Sequence, residues 1–184
     1  KIISTENATK LQSVVTLNGS SPYFHSTPHM VASFDNNYCY VASTGKIEYT
    51  TTPTDKSSWK SVSVKDFSQE VYSICYYEYN GQKKLLIGVA SGYFEILLND
   101  DGSVPETASR QTPDNNFDVT FGTHYVIKLF APQVPEGQAG TASIFAGVLE
   151  KNDDESGSKY SGLWGFYPGR MAENGTEKGE WNYE

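Results

Sequence analysis

The chain has 184 residues and a formal net charge of -8 at pH 7, and it contains 13 tyrosines and 16 glycines. This length suits one domain with a substantial core, and an abundance of Tyr, Thr, Ser, Val and Gly favours strands and turns. The negative charge and the lack of a basic cluster argue against a nucleic-acid partner. No apolar stretch approaches the roughly 20 residues that span a bilayer, so no membrane span is predicted.

The first segment, residues 1–20, is predicted to form half of a four-stranded unit. Its sequence from Lys1 to Leu17 resembles the stretch from Lys46 to Val64, which holds the last two strands of a later unit. The chain is therefore expected to begin half-way through a repeat.

Three complete units follow, at 28–66, 71–111 and 124–184. Each contains an apolar strand, a turn with Gly45, Gly92 or Gly162, and a second strand of alternating pattern, which together indicate a hairpin. A further β-like run precedes each hairpin, and another follows it, including one at 104–111. The spacing of the units is close to the roughly 40 to 50 residues of a propeller blade.

These repeats predict a single all-β domain, a partial β-propeller of about three and a half four-stranded blades. The alternative is a β-sandwich or a barrel, in which the repeat would be accidental. The two ends of the chain do not complement each other as strands of one blade. An open arc of blades exposes apolar faces, so we expect the rest of a propeller or a second copy of the chain as a partner.

The turns before the outer strands resemble the Asp-box (BNR) repeat of sialidase-like propellers. The segments that carry the resemblance are 54–59, with an Asp and a Trp, and 100–103, with Asp-Asp-Gly-Ser, followed later by Asn174, Gly175 and Trp181. The first turn is one residue short and lacks the glycine, and the second has Pro105 where the tryptophan is expected.

The Asp-box resemblance implies framework roles, because in that family the aspartate accepts hydrogen bonds within the turn and the aromatic residue packs between strands. The residues assigned such a role are Asp55, Trp59, Asp100, Gly102 and Trp181.

A sialidase-like active site is not expected from this chain alone. The family uses three arginines, a tyrosine with a neighbouring glutamate, and an acidic residue, whereas Arg110 and Arg170 are the two arginines present. The alternative, a fragment of a sialidase-like glycoside hydrolase or lyase completed by other residues, stays open.

His25 and His29 flank Pro28, which rules out the helix that would pair them on one face. No metal or cofactor is predicted.

The most site-like stretch is 164–170, in which aromatic residues lie beside a guanidinium group. Tyr167, Arg170 and Trp164 are the predicted ligand contacts, since exposed rings and one cation can stack on and hydrogen-bond a sugar or a peptide. Strand alternation offers another interpretation for Trp164, as a core residue. The predicted function is a non-enzymatic interaction or carbohydrate-binding scaffold with a glycan or protein ligand.

Two further patterns bear on location and redox state. Glycosylation sequons begin at Asn7, Asn18 and Asn174 and favour a secreted or cell-surface protein. Cys39 and Cys75 lie in strand-like apolar runs, where a buried thiol packs as a small hydrophobe. A disulfide between them is left open, because it requires Cα atoms within about 7 Å.

Overall fold

A computed structural model describes residues 2–4, 12–15, 29–32, 38–79, 81–112, 124–132, 142–150, 161–168 and 179–184. The described residues form strands and one short 3₁₀ helix, so the predicted all-β class is confirmed. The strands are β1 (Ile2–Ser4), β2 (Gln12–Val15), β3 (His29–Ala32), β4 (Cys39–Ser43), β5 (Lys46–Thr50), β6 (Lys60–Ser63), β7 (Val71–Tyr79), β8 (Gln82–Val89), β9 (Gly92–Leu97), β10 (His124–Phe130), β11 (Ile144–Glu150), β12 (Gly162–Tyr167) and β13 (Glu180–Tyr183). The part of the chain that is described contains no helix long and apolar enough to cross a membrane.

The first unit is a four-stranded antiparallel sheet in the order β3-β4-β5-β6, within the predicted bounds 28–66. β1 and β2 pair separately as a two-stranded antiparallel sheet. The hairpin between β4 and β5 turns through Thr44 and Gly45, and Gly45 has a φ of 81°, which a glycine adopts without steric cost. The 3₁₀ helix, Lys56–Ser58, then leads into β6.

The second unit has three strands, β7-β8-β9, and its predicted fourth strand at 104–111 is reduced to one antiparallel bridge between Glu95 and Gln111. The backbone groups of this segment are used elsewhere. The amide of Lys65 donates to the carbonyl of Ala108 at 3.0 Å, and the amide of Arg110 donates to the carbonyl of Lys65 at 3.2 Å. The segment therefore closes against the loop that leaves the first unit rather than extending the sheet.

The third unit is again four-stranded and antiparallel, in the order β10-β11-β12-β13. A single parallel bridge between Tyr125 and Gly92 joins it to the second unit, so the two units form one seven-stranded sheet in the order β13 to β7. A bulge at Ile127 interrupts the pairing of β10 with β11, and such bulges bend a strand and increase its twist.

The first strands of the three units are neighbours in space, because β3 packs against β7 and β7 packs against β10. Two apolar cores lie between consecutive units. The first contains Tyr40, Ala42, Ile47 and Tyr49 of the first unit and Leu85, Ile87, Phe94 and Ile96 of the second. The second contains Leu86 and Tyr93 of the second unit and Ile144, Ala146, Trp164 and Phe166 of the third.

The central hairpin β8–β9 is buried on both of its faces. Leu85 and Ile87 point into the first core and Leu86 into the second, and all three side chains are fully buried. A strand buried on both faces has a continuous apolar run instead of an alternating one, as in the sequence Leu-Leu-Ile-Gly-Val at 85–89. Burying each such side chain contributes roughly 1.5–3 kcal/mol.

The Val-Ala-Ser triplet that the first two hairpins share does not occupy equivalent places. Ser43 pairs with Lys46 next to the first turn, whereas Val89 pairs with Gly92 next to the second. The two hairpins are therefore equivalent when they are aligned by their turns, and not when they are aligned by the Val-Ala-Ser sequence. With this alignment the first unit turns the Tyr40 and Ala42 face towards the second unit, just as the second turns its Leu86 face towards the third.

Both cysteines are free and buried, with Cys39 6% and Cys75 4% exposed. Burial raises the pKa of both thiols, that of Cys75 to about 11. The predicted packing role agrees with this placement.

We expect both thiols of the folded protein to react slowly with iodoacetamide at pH 8, since the thiolate is the nucleophile and burial suppresses it. Unfolding in guanidinium chloride should expose both to rapid alkylation, which mass spectrometry would count. Rapid alkylation of either cysteine under native conditions would contradict the buried placement.

Candidate ligand-binding surface

The turn before β6 is closed by Asp55. Its carboxylate accepts hydrogen bonds from the amide of Ser57 at 2.8 Å and from the hydroxyl of Ser57 at 2.7 Å. These bonds from the side chain and backbone of Ser57 lower the pKa of Asp55. Asp55 thereby caps the 3₁₀ helix.

In the second turn the carboxylate that closes the turn belongs to Asp101, one residue after the predicted Asp100. It accepts from the amide of Ser103 at 2.9 Å and from its hydroxyl at 2.6 Å, and these bonds lower the pKa of Asp101. Asp100 contributes its backbone carbonyl, which accepts from Lys83 Nζ at 2.6 Å. A shared Asp-x-Ser pattern, at 55–57 and 101–103, is the sequence signal that identifies the right residue.

Gly102 connects this turn to the first unit. It has a φ of 86°, a conformation that favours glycine, and its carbonyl accepts a buried hydrogen bond from the hydroxyl of Tyr40 at 2.6 Å. The glycine of the turn therefore lies at the contact between the first and second units.

The two tryptophans assigned to the framework differ in burial. Trp59 is half-buried and directly follows the 3₁₀ helix. Trp181 is 1% exposed, and its ring centroid lies 5.7 Å from that of Tyr93 and 5.3 Å from that of Phe166. Trp181 thus fastens β13 to the second core.

Of the contacts predicted around 164–170, the structure describes Trp164 and Tyr167, and it places them on opposite faces of β12. Trp164 is 7% exposed and packs edge-on against Tyr183 at 5.3 Å, so the core interpretation is the one observed. Tyr167 lies on the other face of β12, where its hydroxyl donates to Glu184 Oε1 at 2.6 Å. Arg170 lies outside the described residues, as do Asn174 and Gly175.

Arg110 contacts Gln69, in the loop between the first and second units, and Phe94 of β9. Its Nη1 donates to Gln69 Oε1 at 3.1 Å, and its guanidinium lies 5.1 Å from the centre of the Phe94 ring. One of the two arginines of the chain is therefore held in the framework.

Four tyrosines form a continuous row across the boundary between the first and second units, here called the tyrosine row. The centroid of Tyr38 lies 5.7 Å from that of Tyr49 and 5.9 Å from that of Tyr40. The ring of Tyr40 is stacked on that of Tyr76, with centroids 6.2 Å apart and planes 9° from parallel. Tyr38 and Tyr76 are half-buried and pack against the edge of the first core.

The two buried members fix the row in place. The hydroxyl of Tyr40 is bonded to the Gly102 carbonyl, and that of Tyr49 donates to the carbonyl of Val104 at 3.4 Å. The row therefore depends on the 101–104 turn of the second unit as well as on β4 and β5. The two buried rings are thereby anchored to the backbone of the second unit.

Charged groups surround the tyrosine row. Burial is the main cause of the raised pKa of Tyr38, and the negative charge of Asp101 adds to it. The pKa of Tyr49 is raised as well, chiefly by burial and by Tyr38. The negative charges of Asp101 and Glu106 raise it further. Lys60 Nζ lies 6.0 Å from the centre of the Tyr49 ring, and the hydroxyl of Tyr76 donates to Glu78 Oε2 at 2.7 Å. The row thus combines aromatic faces with carboxylates and one cation.

Sequence reasoning did not identify this surface, although 38–49 and 72–79 are both rich in tyrosine. The rings meet through contacts between units, which a linear pattern does not report. Among the described residues, no group of three or more His, Cys, Asp or Glu side chains could hold a metal ion.

No protein-family model matches the chain, and no curated protein and no solved structure matches it either.

Proposed function

We propose that this chain is a non-catalytic, extracellular binding scaffold built from blades of a partial β-propeller, and that the tyrosine row is its carbohydrate-binding surface. The observation that carries the proposal is the row itself, with half-buried rings beside carboxylates at the boundary between two units.

The order of the contacts supports a propeller arrangement. In a propeller the first strands of successive blades surround a common axis, and here β3, β7 and β10 contact each other in series. Each unit also turns the same side towards the next one, as the alignment of the hairpins by their turns indicates. A sandwich of two sheets packed face to face has no need of this serial order.

The chemistry of the row favours a carbohydrate. The C–H face of a sugar ring packs on the apolar face of a tyrosine, and sugar hydroxyls donate hydrogen bonds to carboxylates. Tyr38 and Tyr76 supply the rings, Glu78 accepts the hydroxyl of Tyr76, and the negative charge of Asp101 acts on Tyr38. Binding sites for small molecules commonly combine aromatic walls with a few polar groups that fix orientation.

A binding role is favoured over catalysis because the chain contains two arginines and Arg110 is used in packing. The sequons at Asn7, Asn18 and Asn174 are the support for a secreted or cell-surface location.

A glycan array probed with the purified chain tests the proposal, followed by titration calorimetry with the glycan that binds most strongly. Tyr38→Ala should weaken that binding about ten-fold, since it removes one stacking surface worth about 1.4 kcal/mol. Tyr72→Ala is the matched control. Tyr72 is also half-buried, and its ring packs edge-on against that of Tyr125, with centroids 5.3 Å apart. It lies near the start of β7, about 13 Å along the strand from Tyr76.

Equal effects of Tyr38→Ala and Tyr72→Ala would move the site away from the tyrosine row. An array without any bound glycan would reject carbohydrate as the ligand.

A further inference from the structure

The outward face of the third unit is apolar and exposed. It is here called the open face, and its described residues include Ile127, Lys128, Phe130, Phe145, Gly147, Leu149, Leu163, Gly165 and Tyr167. Ile127, Phe130, Leu149 and Leu163 are between 46% and 58% exposed. Contiguous apolar patches on soluble proteins commonly mark interaction surfaces.

The same face of the second unit is covered. The Gly88–Tyr93 pair of β8 and β9 is equivalent to the Gly147–Leu163 pair of β11 and β12, since each lies one residue from the last paired residues of its two strands. Tyr93 is 2% exposed, whereas Leu163 is 49% exposed. The open face is therefore built like the face of the second unit that the third unit covers.

Gly88 and Gly147 show that the face of the second unit is covered and that the open face is not. A Cβ atom on Gly88 would lie 2.5 Å from the carbonyl oxygen of Val126 in the next unit. A Cβ atom on Gly147 would meet nothing nearer than Lys128 Cβ at 3.6 Å, which belongs to the same unit as Gly147. Gly147 thus leaves a shallow, unfilled depression in the middle of the open face.

One row across the open face is complementary to itself. Register places Lys128 of β10 opposite Gly147, and Gly147 opposite Leu163. The amide of Glu184 donates to the carbonyl of Leu163 at 3.0 Å, which puts Glu184 at the end of the same row. The order across the sheet is therefore cation, depression, apolar side chain and the backbone of Glu184, whose carboxylate reaches along the sheet to Gly165, two residues from Leu163 in β12.

The Glu184 side chain lies on the same face of the sheet as Leu163. A Cβ atom on Gly165, which shares that face, would lie 2.5 Å from Glu184 Oε1, and this oxygen accepts the hydroxyl of Tyr167. The carboxylate is thereby held over the sheet.

A two-fold axis parallel to the strands reverses the order of such a row. Lys128 then faces Glu184 of the partner subunit, and Leu163 enters the depression at Gly147 of the partner subunit, with both contacts formed twice. Two-fold interfaces require a self-complementary patch of this kind. The opposite end of the stack offers no comparable surface among the described residues, because Cys39, Val41 and Glu48 on the outer face of β4 and β5 are all buried.

We propose that two copies of this chain associate through their open faces in a symmetric dimer, with Leu163 on Gly147 and Lys128 on Glu184. The dimer goes beyond the carbohydrate-binding role and does not depend on it.

Sedimentation equilibrium of the purified chain should give a dimer, with Leu163→Ser weakening association at least ten-fold. Lys128→Glu should also weaken it, by about five- to ten-fold at low salt, and the double variant Lys128→Glu with Glu184→Lys should restore it, because the swap rebuilds both ion pairs. Circular dichroism and thermal unfolding check that each variant is folded. Lys128 is exposed, so Lys128→Glu keeps the test valid if Leu163→Ser fails to fold.

A wild-type chain that stays monomeric would overturn the dimer and assign the open face to a different occupant, such as another β unit. A dimer that survives Lys128→Glu and is not affected by the charge swap would place the interface elsewhere.

Discussion

Gly88→Ala is expected to destabilise the protein by about 2 to 3 kcal/mol, because the new methyl group has no room. It would lie 2.2 Å from Ser73 Oγ and 2.5 Å from the Val126 carbonyl oxygen. The serine side chain can rotate, but the carbonyl is held in β10, so the second and third units must separate locally. For a chain of this size the melting temperature should fall by about 4 to 12 °C.

Gly147→Ala is the matched control for Gly88→Ala, since both glycines have the same place in the hairpin. Its nearest neighbours are 3.6 Å and 3.7 Å away, which is ordinary contact, and alanine favours a strand at least as well as glycine. We expect a change within about 0.5 kcal/mol, measured by urea unfolding at a protein concentration where the wild-type chain is monomeric. Similar losses for both variants would contradict the close approach of β10 at Gly88.

Trp181→Ala should destabilise the protein by about 3 to 5 kcal/mol, the cost of removing a large buried aromatic side chain. Trp181 is 1% exposed and contacts Tyr93 across the boundary between units as well as Phe166 in its own sheet. Its loss leaves a cavity at the outer end of the second core and loosens β13.

Tyr183→Ala, two residues further along β13, controls for the position in the strand. Tyr183 is 57% exposed and packs edge-on against Trp164, so its removal should cost no more than about 1.5 kcal/mol. Equal losses for the two variants in guanidinium unfolding would show that β13 is held by its backbone rather than by Trp181.

Much of the fold follows from local patterns. The strands that the sequence predicts to pair at 38–49, 85–96 and 144–166 are apolar and lie close together in the chain, and such signals act over a few residues. Continuous apolar runs likewise indicate burial on both faces, as β8 shows. Each of the sheets β3–β6 and β10–β13 is accordingly formed by strands that follow one another in the chain.

The structure differs from the sequence-based predictions where segments that are distant in the chain compete for the same contacts. The segment 104–111 has strand-like residues, yet its backbone groups bond to Lys65 in the loop after the first unit. Asp101 closes its turn, rather than Asp100, because the serine it binds is two residues ahead. The alternative interpretations of Trp164 could not be separated either, since strand alternation does not say which face meets a neighbouring unit.

The tyrosine row also depends on contacts between segments that are distant in the chain. Tyr38, Tyr40 and Tyr49 belong to one hairpin, but Tyr76 comes from β7, and the hydroxyl bonds that hold the row end on the 102–104 backbone. Such a surface exists only once two units have packed together.

The burial of β8 and β9 on both faces has a consequence for cooperativity. The central hairpin supplies side chains to both apolar cores, so its local unfolding would expose the first and third units at once. The central unit should therefore melt together with its neighbours as a single cooperative unit, whereas β13, at the far edge of the seven-stranded sheet, can open alone. In native-state hydrogen exchange, the amides of β8 should exchange only through global unfolding, and those of β13 well before it.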